Sequence, residues 1–169
     1  IGFGRIGRQV ALRACAFGVE VLIYAVYQDV GAASACGARY APLEEVLARA
    51  DVVSLHAPAT PQTRGLINAR TLAQMKPTAY LINTSRGGLI DTHALLDAIA
   101  SGQLAGVGLD VYEEEEGKFF RDLSDLPMSD EVLVRLMSFP NVLVTGHQAF
   151  FTEQAMTTIA ETTITNLTD

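Results

Sequence analysis

With 169 residues, 49% of them apolar and 18% charged, the chain is long enough to bury one substantial core, too short for two, and too apolar to stay disordered. A net charge of −7 without any Lys/Arg cluster argues against a nucleic-acid partner, whose affinity comes from neutralised phosphates. Cys15 and Cys36 lack metal-ligand spacing and a domain of this size needs no disulfide, so a reducing cytoplasm is expected; no apolar run reaches the length that crosses a bilayer.

Ile1 of IGFGRIGR reads as the last residue of a strand whose beginning is absent, so the chain is expected to be a fragment. Gly4 to Phe17 carries Ile6, Val10 and Ala14 at helical spacing and stops at Gly18; residues 19–26 (VEVLIYAV) follow as a strand. Residues 28–40 are small and irregular. Pro42 suits a first helical position, Leu43, Val46, Leu47 and Ala50 form an apolar stripe, and residues 51–56 are strand-like. Asn68 caps a short helix with Leu72 and Met75 inward, Pro77 ends it, and residues 78–83 form the next strand. After the SRGG turn, Asp91 caps a helix whose Ala94, Leu95, Ala98 and Ile99 share a face, Gly102 closes it, and residues 105–112 return as a strand.

The long connection from Glu113 to Asn141 holds an acidic run, then KFFRDLSDLPMS, then a helix capped by Ser129 with Val132, Leu133, Leu136 and Met137 inward. Residues 142–145 read as a buried strand, and from Thr152 onward Ala155, Met156, Ile159, Ala160, Thr163, Ile164 and Leu167 trace a final helix that closes the domain. Alternating strands and helices predict one α/β domain over residues 1–169, a Rossmann-type doubly wound parallel sheet with its first strand largely missing.

Gly2, Gly4 and Gly7 form G-x-G-x-x-G at the first strand-to-helix junction. The first allows a tight turn, the second lets backbone approach a pyrophosphate, and the third packs helix on strand, while the amides of Arg5 and Ile6 point at the phosphates. A dinucleotide is therefore expected here. The acidic residue that should end the second strand and hold the ribose hydroxyls is missing, because Tyr24 is followed by Ala25, Val26 and Tyr27. Asp29 lies slightly downstream, and with no Arg or Lys in 24–30 to take a 2′-phosphate the expected cofactor is NAD.

In open parallel sheets ligands bind outside the carboxyl ends of the strands. Three reactive groups follow such ends: Arg86 in NTSRGG, Glu115 in LDVYEEEE, and His147 in VLVTGHQ. A guanidinium that binds a carboxylate and polarises a keto oxygen, with an imidazolium as proton donor, suits reduction of a 2-oxo acid, and a carboxylate beside the ring would orient it and favour its protonated form. Each has a plainer reading, as a surface arginine, a loop histidine or a solvated glutamate. His93 is expected to face solvent, His56 to shape its loop, Cys15 to lie in the core, and Phe119 and Phe120 to fill an apolar gap.

GFGRIGR, SLHAPATPQTRGLIN, MKPTAYLINTSRGGLID, GVGLDVYEEE and NVLVTGHQAF together resemble the nucleotide-binding domain of the D-isomer-specific 2-hydroxyacid dehydrogenases, in the family's order and almost end to end. TGHQAFFT and the insertion with KFFRD resemble its fermentative D-lactate dehydrogenases most. The resemblance implies that Arg86 binds the substrate carboxylate and keto oxygen, that His147 is the acid/base, and that Glu115 is its partner. It also implies cofactor contacts from Gly2, Gly4, Arg5, Ile6 and Gly7, from Ala57, Pro58 and Thr63, from Asn83, Thr84 and Ser85, and from Asp110. Pyruvate reduction with NADH is the expected activity. Other acids, namely glycerate, phosphoglycerate or a branched 2-oxo acid, and a non-catalytic NAD-sensing role are the alternatives. The family's second domain is absent from these residues, so they are expected to be inactive alone, and a homodimer is expected of the whole protein.

Overall fold

The structure, a computed structural model, describes residues 1–113 and 130–168. Its centre is a parallel sheet in the order β3-β4-β5-β6, formed by β3 (Val52–Leu55), β4 (Tyr80–Asn83), β5 (Gly106–Leu109) and β6 (Val142–Val144). Parallel strands need covering helices. These are α3 (Leu43–Arg49), α4 (Ala69–Leu72), α5 (Thr92–Ala100) and α6 (Glu131–Met137), whose Leu47, Leu72, Leu95 and Leu136 are fully buried with Leu55 and Leu81 of the strands. Asn68 caps α4 in a reciprocal pair with Thr71, and Asp91 caps α5 by accepting from the Ala94 amide, as their positions predict.

A second, two-stranded parallel sheet pairs β1 (Leu22–Ile23) with β2 (Arg39–Tyr40). Ile1 and Gly2 join the two sheets. The Ile1 nitrogen donates to Ser54 O, the His56 amide donates to Ile1 O, and the Gly2 amide donates to Tyr24 O. Beyond this bridge a cavity of about 740 Å³ lies between β1 and β3.

Several expectations are corrected. Residues 28–40 are ordered as α2 (Val30–Ala35) and β2, with Asp29 capping α2 through the Ala32 amide; the Ala/Gly/Ser composition hid a helix that needs only its cap. On α1 (Arg5–Ala16) the inward residues are Gly7 and Ala11, while Ile6 is 70% exposed. The reason is close approach: a Cβ on Gly7 would sit 2.3 Å from the Gly2 carbonyl oxygen, so only small residues fit that face. Cys15 is half-buried in the small cluster around Phe3 and Ile23 instead of fully within a core.

Asp130, not Ser129, caps α6, its carboxylate accepting from the Leu133 amide, and Met137 lies half-exposed; Ser129 itself is outside the described residues. β6 is an edge strand with Leu143 turned out, not a buried one. α7 (Glu153–Thr168) buries none of its residues, so its apolar stripe does not close the domain.

Candidate active site

The glycine turn is built by steric necessity. Gly2 has a φ of +90°, and a Cβ there would lie 2.6 Å from the His56 backbone, so the β3 exit and the turn touch without an intervening side chain. Gly4 differs, because nothing lies within 4 Å of where its Cβ would stand. Packing does not demand glycine at that position; the open space is where a ligand's backbone-hugging group fits. No side chain caps α1 and no acidic residue sits in its first turn, so its leading amides and positive dipole end remain available to an anion. These features fit the pyrophosphate of a dinucleotide.

The turn opens on a cleft of about 750 Å³ lined by Gly4, Arg5, Ile6, Ala57, Pro58, Ser85 and Arg86, among others. Six expected cofactor residues thus share one hollow with the expected substrate arginine. Thr63 stands behind it, its hydroxyl donating to Pro58 O and accepting from the Thr60 amide, so that it holds the 58–63 loop. Thr84 is exposed at the cleft's rim segment. Asn83 is wholly buried. Its amide nitrogen donates to Arg86 O and its oxygen accepts from the Ser85 amide, so its side chain pins the loop.

Arg86 is exposed, with one guanidinium nitrogen donating to Ser85 O at 2.7 Å. The loop beneath it is locked a second time. Gly87 is buried, and a Cβ on it would lie 2.1 Å from the Tyr112 carbonyl, which ties the Arg86 loop to the exit of β5. Ser85 adds a hydrogen bond to Ala57 O at 2.7 Å.

His147 follows β6 in a left-handed conformation, φ 55°, a backbone state that L residues occupy at a cost. Asp110 supplies the reason that it holds. This carboxylate, 5% exposed, accepts from the Thr145 hydroxyl at 2.5 Å, the Gln148 amide at 2.9 Å and the Ala149 amide at 2.8 Å. Burial alone would raise its pKa. The Thr145 hydroxyl and the two amides, with a lesser contribution from His147, outweigh that and hold the carboxyl below its usual range. Asp110, expected to touch the cofactor, therefore anchors the loop on both sides of the imidazole. Phe150 packs its ring edge-on to His147, centroids 6.4 Å apart.

Register fixes how Arg86 and His147 relate. Asn83, Leu109 and Val144 are aligned partners across β4, β5 and β6. Arg86 and His147 each lie three residues further on, so they leave the same sheet edge two strand spacings, about 10 Å, apart. His147 is not among the residues that line the cleft. Glu115 lies outside the described residues, as do Phe119 and Phe120. Glu113 is committed elsewhere, its carboxylate accepting from the Thr92 amide and hydroxyl at the start of α5.

His56 also borders the cleft. Its Nε2 lies 2.9 Å from the Ser54 hydroxyl, and burial pushes its pKa down to about 4. It is a neutral spacer between turn and sheet, in keeping with its expected loop role, and His93 is exposed on α5 as expected.

Sequence reasoning missed the anchoring work of Asp110 and Asn83, the wedge at Gly87 and the Phe150 contact. A carboxylate placed directly after the apolar run GVGL was the available signal for the first. Among the described residues no helix is long and apolar enough to cross a membrane.

The family profile described as D-isomer specific 2-hydroxyacid dehydrogenase, NAD binding domain, matches residues 1–149. The chain is 49% identical over its whole length to 2-hydroxyacid dehydrogenase A of Aspergillus oryzae, of which it covers 48%. Its structure superposes on the pyruvate reductase of Chlamydomonas reinhardtii with a TM-score of 0.91 and 46% identity, covering 98% of this chain and 50% of that one. A D-lactate dehydrogenase from Aquifex aeolicus, complexed with NAD and lactic acid, gives a TM-score of 0.90 at 37% identity, covering 99% of this chain and 50% of that one. The chain thus spans about half the length of the relatives it matches. With the glycine turn, the parallel sheet and the matched profile in agreement, the chain belongs to the D-isomer-specific 2-hydroxyacid dehydrogenases and is their NAD-binding, Rossmann-type domain.

Proposed function

We propose that the whole protein reduces a 2-oxo acid with NADH, pyruvate to D-lactate before other acids. The observation that carries this reading is the shared sheet edge: Arg86 and His147 follow the same carboxyl edge of the sheet, after β4 and β6 with β5 between them, and Arg86 lines the cleft that begins at the glycine turn. NADH, when bound, supplies the hydride. Arg86 presents a fork of donors suited to a carboxylate and the adjacent keto oxygen, and binding there draws electron density from the carbonyl carbon. His147 gives its proton to the oxygen as the alkoxide develops, and takes it back in the reverse direction. Glu115 is the proposed partner that holds the imidazole protonated.

The test uses the full-length protein. His147→Ala should still bind NADH while kcat falls about 10²- to 10⁴-fold, and Arg86→Ala should raise KM and lower kcat together. Turnover retained in His147→Ala overturns the reading. A panel of kcat/KM values across pyruvate, hydroxypyruvate and branched 2-oxo acids decides the substrate.

A further inference from the structure

The glycine turn has two flanks. One faces β3 and β4 and opens on the cleft. The other faces the exit of β1, where the hydrogen bond from the Gly2 amide to Tyr24 O sets Ala25 beside the turn. In a dinucleotide fold this is where a carboxylate binds the ribose 2′-hydroxyl, or where a nearby arginine accepts a 2′-phosphate. The methyl group of Ala25 can do neither.

The charges at this flank are carried by Arg8 and Asp29. The Arg8 guanidinium lies 5.4 Å from the Phe3 ring centroid, its Nε donates to Phe3 O at 3.3 Å, and its Nη2 pairs with Asp29 Oδ2 at 2.8 Å. Asp29 is held as firmly. Its Oδ1 accepts from the Ala32 amide at 2.9 Å and its own amide donates to the Tyr40 hydroxyl at 2.9 Å, while Tyr40 packs edge-on against Phe3 with centroids 5.9 Å apart. The Ala32 amide is the main reason the Asp29 carboxyl sits below its usual range; burial opposes it and Arg8 adds to it, so the group is ionised at neutral pH. Both side chains remain nearly half exposed, at 44% and 47%, so a bound adenosine can reach them.

We propose that the Arg8–Asp29 ion pair, in place of a strand-end carboxylate, makes this protein choose NAD over NADP. Asp29 occupies the guanidinium that would otherwise take a 2′-phosphate, and its negative charge repels that group. Arg8 is the latent phosphate site and Asp29 is what closes it. The inference rests on the domain's NAD-binding assignment and is independent of the substrate and of the roles of Arg86 and His147.

The experiment measures dissociation constants of NADH and NADPH for the full-length protein by calorimetry, alongside kcat/KM with each. Asp29→Asn removes the charge and keeps an oxygen for the Ala32 amide, since asparagine caps helices as well as aspartate; Asp29→Ser does the same with a hydroxyl and guards against a folding defect peculiar to one variant. Wild type should prefer NADH. In both variants NADPH should tighten relative to NADH by about ten- to a hundredfold, the gain should shrink as salt is raised, and adding Arg8→Gln should abolish it. An NADPH/NADH ratio that stays within about twofold of wild type, or a wild type that binds the two cofactors equally, overturns the inference. If wild type fails to bind NADH at all, the cofactor assignment falls and takes the inference with it, whereas an unchanged ratio with normal NADH affinity sinks the inference alone.

Discussion

Around β3 to β6 the core is made of Leu, Ile and Val packed between strands and helices, with Leu47, Leu55 and Leu81 sealed completely. Around β1 and β2 the buried cluster is Phe3, Ile23 and the alanines 11, 33 and 38. The first region is held by bulk and the second by close backbone approach. The contrast fits the proposed roles: Arg86 and the His147 loop stand on the densely packed half, whereas the glycine turn is lined with small residues. A scaffold that must hold reactive side chains precisely does so best on its stiff part.

The sharpest way to break the comparison is at Gly87. An alanine there must push apart the Arg86 loop and the β5 exit, since its Cβ would meet the Tyr112 carbonyl at 2.1 Å, and the expected loss is about 4 kcal/mol or more. A melting temperature unchanged in full-length Gly87→Ala would show that the two backbones part easily. Next come paired truncations. Leu81→Ala should fall toward the top of the roughly 2–5 kcal/mol range for buried leucines and Ile23→Ala toward the bottom, because Ile23 packs in a small cluster with Phe3 and the alanines 11, 33 and 38 and so has fewer large neighbours to lose. Equal losses in urea unfolding would erase the distinction between the halves.

The smallest effect is set by His56, at the seam between them. Its pKa of about 4 lies below the ordinary histidine value of 6.5, so the unfolded chain binds its proton first. Its contribution is complete above pH 6.5 and is lost as pH falls toward 4. Allowing for its partial exposure, this is on the order of 1 kcal/mol. Full-length His56→Gln, which can still bond Ser54, should lose less stability than wild type across that window; parallel stability curves would show that His56 keeps its proton affinity on folding.

The dense half was also the readable one. Its strands are apolar runs, its helices carry stripes, and Asn68 and Asp91 announce their helices by cap chemistry. The light half was read poorly for the same physical reason that makes it light. Alanine and glycine carry little periodic signal, so α2, β2 and the inward face of α1 had nothing in the pattern to mark them. The α7 stripe was visible, yet periodicity reports which residues share a face and says nothing of what that face meets. At the site, residue types and strand ends pointed to Arg86 and His147, on which the proposed chemistry rests. They could not show that Asp110 and Asn83 turn their polar atoms on to neighbouring loops, because beyond the last strand residue the alternation that tells inside from outside stops. Glu115 falls outside the described residues, and the one finding that bears on its neighbourhood is that Glu113 already serves Thr92.

The contact at Gly87 reaches further than the stability of one loop. Because Arg86's segment and the stretch leaving β5 press main chain to main chain, there is no side chain between them to trim or enlarge, so a substitution at Gly87 shifts both segments at once and neither can be re-aimed on its own.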